Sequence, residues 1–277
     1  MILIADSGST KTEWVTEQLS VQTQGINPVR DTKEQILDIL RAELMPQLYS
    51  TDTISQIHFY GAGCIPPYSD TVSQALTQTF PHAAIQVNTD LLGAARALCG
   101  LNPGIACIIG TGSNSCLCDK GQIISNTSPL GYILGDEGSG AVLGRTLLGE
   151  MLKGSLKHLW PTFSSQYQLD TTDIIDRVYR QPQPNKFLAS LVPFIHEHLV
   201  DAQVEHMVVQ EFIRFLERNV TVYNRPDLPV NFVGGLASSF HAQLDKACHA
   251  CGLKMGTSLR RPAAQILSFH TKAATKS

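Results

Sequence analysis

Twice in this chain an apolar run stops at a short turn built of glycine, hydroxyl side chains and amides. Residues 1–5 run into Asp6, Ser7, Gly8, Ser9, Thr10, Lys11 and Thr12, after which Trp14 and Val15 resume an apolar pattern, so this turn is the tip of a hairpin. Residues 105–109 run into Gly110, Thr111, Gly112, Ser113, Asn114 and Ser115, followed by strand patterns over 115–118 and 122–125 around a turn at 119–121. Glycine lets a backbone approach an anion, hydroxyls and amides donate to its oxygens, and Lys11 adds positive charge. Taken alone the first turn is equally an ordinary hairpin tip. Two such turns, one opening each strand-rich half, point to a polyphosphate. Asp6 then needs a cation between itself and the phosphates, which suits Mg²⁺ held through water. No GK[ST] follows either turn and no GxGxxG occurs, which argues against a P-loop or a dinucleotide-binding fold.

The remaining pattern alternates helix and strand. Apolar residues at 36, 37, 40, 44 and 48 predict an amphipathic helix over 31–48 capped by Asp31 or Thr32. Residues 57–60 read as a buried strand entering the glycine turn at 61–63, 69–80 as a helix, and 84–88 as a strand. Asp90 then caps a helix over 91–99. The pattern is helical over 138–158 and again over 170–219. Residues 230–233 form a short strand stopping at Gly234 and Gly235, before helices over 236–251 and 262–274. The expected fold is α/β with two domains: residues 1–107, joined by the last helix over 262–277, and residues 108–261, carrying a helical insert over about 160–225.

Length and composition agree. The 277 residues exceed the roughly 100 to 200 of one domain. A formal charge of -3 leaves no basic surplus for nucleic acid or anionic membrane. The start of the chain has no secretion-signal pattern, and no stretch reaches roughly 18 apolar residues, so a cytoplasmic location is expected. The seven cysteines are expected as packing thiols, including the Cys116–Cys118 and Cys248–Cys251 pairs. His196, His198 and His206 lack an acidic cluster, so no metal beyond Mg²⁺ is expected.

DSGSTKT resembles the first phosphate loop of the actin, heat-shock chaperone and sugar kinase superfamily, GTGSN its second, and VGGLAS at 233–238 its adenosine motif, in the superfamily's order. NTDLLGAARA at 88–97 and GYILGDEGSG at 131–140 resemble the N-acetylglucosamine kinase branch. The resemblance implies two ribonuclease H-like, actin-like ATPase domains with a cleft between them, ATP and Mg²⁺ as cofactors, and a sugar as the small-molecule partner. It implies that Asp90 is the general base. Ser7, Gly8, Ser9, Thr10, Lys11, Gly110, Thr111, Gly112 and Ser113 would take the phosphates, and Gly234, Gly235 and Ser238 the adenosine. Asn27, Gly63, Asp90, Asn114, Gly131, Tyr132 and Asp136 would take the sugar. A homodimer is also implied. PAAQILS at 262–268 departs from the family's glycine-alanine-leucine pattern in the last helix.

The reading is phosphoryl transfer to the 6-hydroxyl of an amino sugar, N-acetylglucosamine first among them. Glucosamine and N-acetylmuramic acid stand as alternative acceptors, because pocket shape around Asn27, Gly63 and Asp136 decides between them. An ATPase that activates a partner dehydratase or reductase stands as the alternative from another class, kept open by the Cys116–Cys118 pair. Asp136 and Glu137 as a glycosidase pair would leave both glycine turns unexplained.

Overall fold

The computed structural model describes residues 1–8 and 10–274. The chain forms two compact units, one from residues 1–103, 118–124 and 261–277 and the other from residues 104–117 and 125–260.

The first unit is built on the sheet β1 (Ile2–Ser7), β2 (Lys11–Val15), β3 (Ser20–Gln24), β4 (Gln56–Gly61) and β5 (Ala84–Thr89), in the order β3-β2-β1-β4-β5. β1 pairs antiparallel with β2 and parallel with β4, and β4 parallel with β5. Leu3, Ile4 and Ala5 have no solvent exposure, as expected of a central strand covered on both faces. Helices α1 (Lys33–Ile39) and α2 (Ser69–Thr79) supply Ile36, Leu37, Val72 and Leu76 to one core. The helix expected over 31–48 keeps its α form only to Ile39. It continues as π and 3₁₀ turns to Gln47, and Thr32 caps it, closing a capping box with Gln35. Trp14 is fully buried, and its indole N–H donates to Thr23 Oγ1 at 2.9 Å. Helix α3 (Asp90–Cys99) follows β5 directly.

The second sheet comprises β6 (Gly104–Ile109), β7 (Ser113–Asp119), β8 (Gln122–Thr127), β9 (Val230–Val233) and β10 (Met255–Leu259), ordered β10-β9-β6-β7-β8. Its first strand lies in the middle, with a hairpin on one side and two parallel strands on the other, so the strand order of the first sheet is repeated. Around it lie α4 (Gly131–Leu134), α5 (Gly140–Lys153), α6 (Trp160–Tyr167), α7 (Thr171–Tyr179), α8 (Pro184–Ala189), α9 (Val192–Glu197), α10 (Ala202–Asn219), α11 (Gly235–Ser239) and α12 (His241–Ala250). Phe163, Phe194, Phe212, Phe215, Phe232 and Phe240 are fully buried in one cluster with Leu143 and Leu147. Each such side chain contributes about 1.5 to 3 kcal/mol of burial.

The last helix, α13 (Ala263–Ala274), belongs to the first unit, where Ala263, Ile266 and Leu267 pack on Ile4, Val15 and Tyr60. Among the described residues no helix is long and apolar enough to cross a membrane.

Candidate active site

The first turn spans the end of β1 and the start of β2, with Asp6 opposite Glu13 and Ser7 opposite Thr12. The Gly8 N–H donates to the Lys11 carbonyl at 3.0 Å, so that amide is used inside the turn. Ser7 is buried. Its hydroxyl lies 2.7 Å from Thr12 Oγ1, donates to the Ile26 carbonyl at 2.9 Å and accepts from the Ile26 N–H at 3.0 Å. Ser7 therefore braces the turn. Gly8, Thr10 and Lys11 are exposed and face solvent, and Ser9 lies outside the described residues.

Gly25, which the sequence reading passed over, fixes this turn from the far side. Its N–H donates to the Thr10 carbonyl at 3.0 Å, and a Cβ there would lie 2.5 Å from the Gly8 carbonyl and 2.7 Å from the Lys11 nitrogen. The only advance signal was a glycine placed just ahead of the Ile26-Asn27-Pro28 bend.

Strand register brings Asp90 to the same end of the sheet. Ser7 is level with Gly61, and Gly61 with Thr89, so Asp90 follows at the carboxyl ends of β1, β4 and β5, where open α/β sheets bind ligands. Asp90 is not the helix cap expected from the sequence. Thr89 is extended and accepts the Leu92 N–H on its hydroxyl at 3.3 Å, so it is the cap, and Asp90 is the first helical residue. The reason is local, since both residue types cap well and the strand simply runs one residue further. Asp90 Oδ1 accepts from the Leu91 N–H at 2.9 Å. Gly93 lets α3 approach β4, because a Cβ there would lie 3.0 Å from three atoms of Tyr60.

Burial pushes the Asp6 carboxyl up to about 7, with the charges of Asp90 and Glu13 adding to it. Burial raises Asp90 as well, while the amides of Leu91 and Asp90 itself pull it down. Two crowded carboxylates of this kind favour a divalent cation, and their hard oxygen donors suit Mg²⁺. Among the described residues no group of three or more His, Cys, Asp or Glu is placed to hold a metal by protein ligands alone.

Also in the first unit, Asn27 and Gly63 meet. Gly63 adopts φ +78°, and a Cβ on it would lie 2.6 Å from Asn27 Oδ1. Asn27 Oδ1 accepts from the Val29 N–H at 3.0 Å, and Asp31 holds the Asn27 N–H at 2.7 Å. The Asn27 Nδ2 makes no hydrogen bond among the described residues, so it is available as a donor.

In the second unit the 110–115 turn is held by the N-terminus of α5. Gly140 N–H donates to the Gly110 carbonyl at 2.8 Å and Ala141 N–H to the Thr111 carbonyl at 3.1 Å. Gly110 N–H closes the turn on the Gly112 carbonyl at 2.9 Å. Asp136 adopts φ +52° and lies against this turn. Its Oδ1 accepts from the Ser113 N–H at 3.4 Å, and a Cβ on Gly112 would lie 3.0 Å from its Oδ2. Burial pushes Asp136 up to about 6, the Ser113 amide opposes this, and the Glu137 charge adds to the rise. Glu137 is structural, accepting from Arg218 at 2.8 Å and from Asn219 at 3.1 Å, while its carbonyl accepts the Ser113 hydroxyl at 2.8 Å.

Asn114 Oδ1 accepts from the Ser115 N–H and from Asn126 Nδ2, each at 2.9 Å. Gly131 at φ +75° opens α4, and the Tyr132 carbonyl accepts from Arg145 at 2.7 Å. Gly234, at φ +132°, sits beside β6, where any Cβ would run into the Ile109 carbonyl. The structure thus brings the 233–238 segment beside the strand that leads into Gly110, with Gly235 and Ser238 exposed. Cys116, Cys118 and Cys248 are buried, and burial pushes the Cys248 thiol up to about 12.

No family model matches the sequence, and no curated protein matches it. A solved structure from Porphyromonas gingivalis, of a protein provisionally assigned as an N-acetylglucosamine kinase, is 47% identical, with a TM-score of 0.95 over 99% of this chain and 100% of that one. A provisionally assigned N-acetylglucosamine kinase from Chromobacterium violaceum is 18% identical, with a TM-score of 0.74 over 97% of this chain and 98% of that one. MreB 5 of Spiroplasma citri, solved with AMPPNP, is 11% identical with a TM-score of 0.54 over 99% of this chain and 96% of that one. The last two share the fold. The identity and full-length coverage of the first carry the assignment further: the chain belongs to the N-acetylglucosamine kinase-like family of the actin, heat-shock chaperone and sugar kinase superfamily.

Proposed function

We propose that the chain is an ATP-dependent kinase that phosphorylates the 6-hydroxyl of an amino sugar, N-acetylglucosamine foremost. The observation that carries this reading is the acidic pair of the first unit: Asp90 at the head of α3, interacting electrostatically with Asp6 at the end of β1, beside an exposed hydroxyl-and-lysine turn.

Asp90 is the general base. It accepts the proton of the attacking sugar hydroxyl as that oxygen bonds to the γ-phosphorus and the bond to the β-phosphate oxygen breaks, leaving ADP. A carboxylate raised by burial is a stronger proton acceptor than one in water. Thr10 and Lys11 donate to phosphate oxygens in the first unit, and Thr111 does so in the second. Gly234 and Gly235 admit the adenosine where no side chain intervenes. Asp6 orients a water-held Mg²⁺, which when bound neutralises phosphate charge. Asn27 and Asp136 position sugar hydroxyls, one as donor and the other as acceptor. Cys116 and Cys118 are buried in β7, away from any surface where a partner-bridging cluster would sit, which disfavours the activator ATPase.

The test is ADP release with Mg-ATP across N-acetylglucosamine, glucosamine, N-acetylmuramic acid, N-acetylmannosamine and glucose, with the phosphorylated carbon identified by NMR. Stimulation by one amino sugar with phosphate on carbon 6 supports the reading. ATP binding with no sugar-stimulated turnover overturns it in favour of a partner-activating ATPase.

A further inference from the structure

Between α3 and α13 of the first unit lies a cavity of about 400 Å³, large enough for a small organic molecule. It shares no residue with the acidic pair or the phosphate turn. Its apolar side is formed by Ala97, Leu101 and Phe269, and its polar side by Arg96, Ser268 and Lys272. Gln265 adds an amide, and among the described residues no carboxylate lines it. Leu101 is 57% exposed, an apolar side chain that a ligand body would cover.

Arg96 is held in place by groups other than a counter-ion. Its Nε donates to the Gly121 carbonyl at 3.2 Å and its Nη1 to the Tyr60 hydroxyl at 2.6 Å. Its guanidinium carbon lies 5.3 Å from the Phe269 ring centroid and 5.8 Å from that of Tyr60. The third nitrogen, Nη2, makes no hydrogen bond among the described residues. A preorganised, partly buried guanidinium with one donor group to spare, and with no carboxylate paired to it among the described residues, is suited to an anionic head group. Lys272 brings a second positive charge to the same cavity.

We propose that this cavity is a second ligand site, taking a small carboxylate or phosphate monoester that carries an apolar body. The head group meets Arg96 Nη2 and Lys272, and the body lies against Leu101 and Phe269. The site does not depend on the kinase reading. It does have a route to the acidic pair, because Arg96 stands six positions after Asp90 on α3, about 9 Å along the helix, and holds Tyr60, which is level with Asp6 in the sheet.

The test is calorimetric titration of the full chain, with Mg-ADP at saturation to occupy the phosphate turns. The probes are phenyl phosphate, benzoate, benzyl alcohol and inorganic phosphate. Lys272 is exposed, so Lys272→Gln leaves folding intact, whereas Arg96 also supports Tyr60 and is left unaltered. Saturable binding of either aromatic anion, weakened about tenfold by Lys272→Gln and abolished by filling the cavity with Ser268→Trp, is expected. Preference for benzoate or phenyl phosphate then assigns the head group. Binding of neither anion, equal binding of benzyl alcohol or inorganic phosphate, or binding unaffected by Ser268→Trp in a variant with wild-type melting and Mg-ADP affinity, overturns the proposal.

Discussion

The Arg96 guanidinium donates to the Tyr60 hydroxyl at 2.6 Å, and that hydroxyl lies 2.7 Å from His270 Nε2. Arg96 can only donate, so the arrangement that leaves no proton unpaired has Tyr60 O–H donating to His270. His270 is then neutral, stacked at 3.6 Å on His58, whose Nδ1 pairs with Gln86 at 3.1 Å and whose buried Nε2 has no hydrogen-bond partner among the described residues. A last-helix residue is thus tied to the strand beside β1 through neutral imidazole.

Acid should loosen this tie. Burial first, then His58 and Arg96, hold His270 down at about 3, and burial lowers His58 too. With folded values below the ordinary 6.5, the unfolded chain binds the extra protons. Stability is full above about 6.5 and is lost as pH falls towards 3, at roughly 1 kcal/mol per pH unit after allowing for screening of a half-buried ring. Thermal melts between pH 7.5 and 4 should show it, and His270→Gln should flatten the slope. An equal slope in the variant would assign the acid sensitivity elsewhere.

Replacing Asp90 by Asn keeps the side chain's shape and its acceptor for the Leu91 N–H while removing the base. Sugar-dependent turnover should fall by about 10²- to 10⁴-fold, with Mg-ATP affinity near that of the wild type. Steady-state kinetics beside calorimetry checks both halves of this expectation.

Sugar affinity should follow Asp136. With its carboxyl raised to about 6, the ionised acceptor dominates above that pH and is lost below it. Sugar binding, measured without nucleotide so that Asp90 chemistry does not enter, should weaken about tenfold between pH 7.5 and 5. Asp136→Asn should bind weakly at both pH values and erase the slope.

Two glycines that look alike in the sequence should behave differently. Gly25→Ala drives a Cβ into the Gly8 carbonyl and the Lys11 nitrogen, both backbone atoms, and should cost about 2 to 4 kcal/mol and Mg-ATP binding. A Cβ at Gly235 meets nothing within 4 Å, so Gly235→Ala should melt near the wild type and report only on crowding of a bound adenosine. Denaturant titration with nucleotide binding separates the two effects.

The parts legible in the sequence were those whose signal is local. The two turns announce themselves because glycine and hydroxyl residues interrupt apolar runs, and α3 because Asp90 opens an unbroken helical pattern. β3 and β10 escaped notice because their sequences, SVQTQ and MGTSL, are mostly polar or small and make no apolar run, whereas the edge strands β5 and β8 announce themselves through Ile85 and Val87 and through Ile123 and Ile124. Gly25 escaped because its role is a contact made across the hairpin, and the bracing role of Ser7, named in the sequence only for phosphate, was hidden because its hydroxyl meets Ile26, nineteen positions away. The Arg96, Tyr60 and His270 chain spans separations of 36 and 210 residues, which no periodicity encodes.

The first unit is discontinuous, and that has a consequence for the order in which the protein is made. Ile4, Val15 and Tyr60 are covered by Ala263, Ile266 and Leu267, which leave the ribosome about 160 residues after Pro103. At bacterial-to-eukaryotic elongation rates of about 5 to 20 residues per second, one face of the earliest sheet waits roughly 10 to 30 seconds for its cover. During that interval the uncovered apolar face is exposed to aggregation, and truncation before α13 makes the exposure permanent.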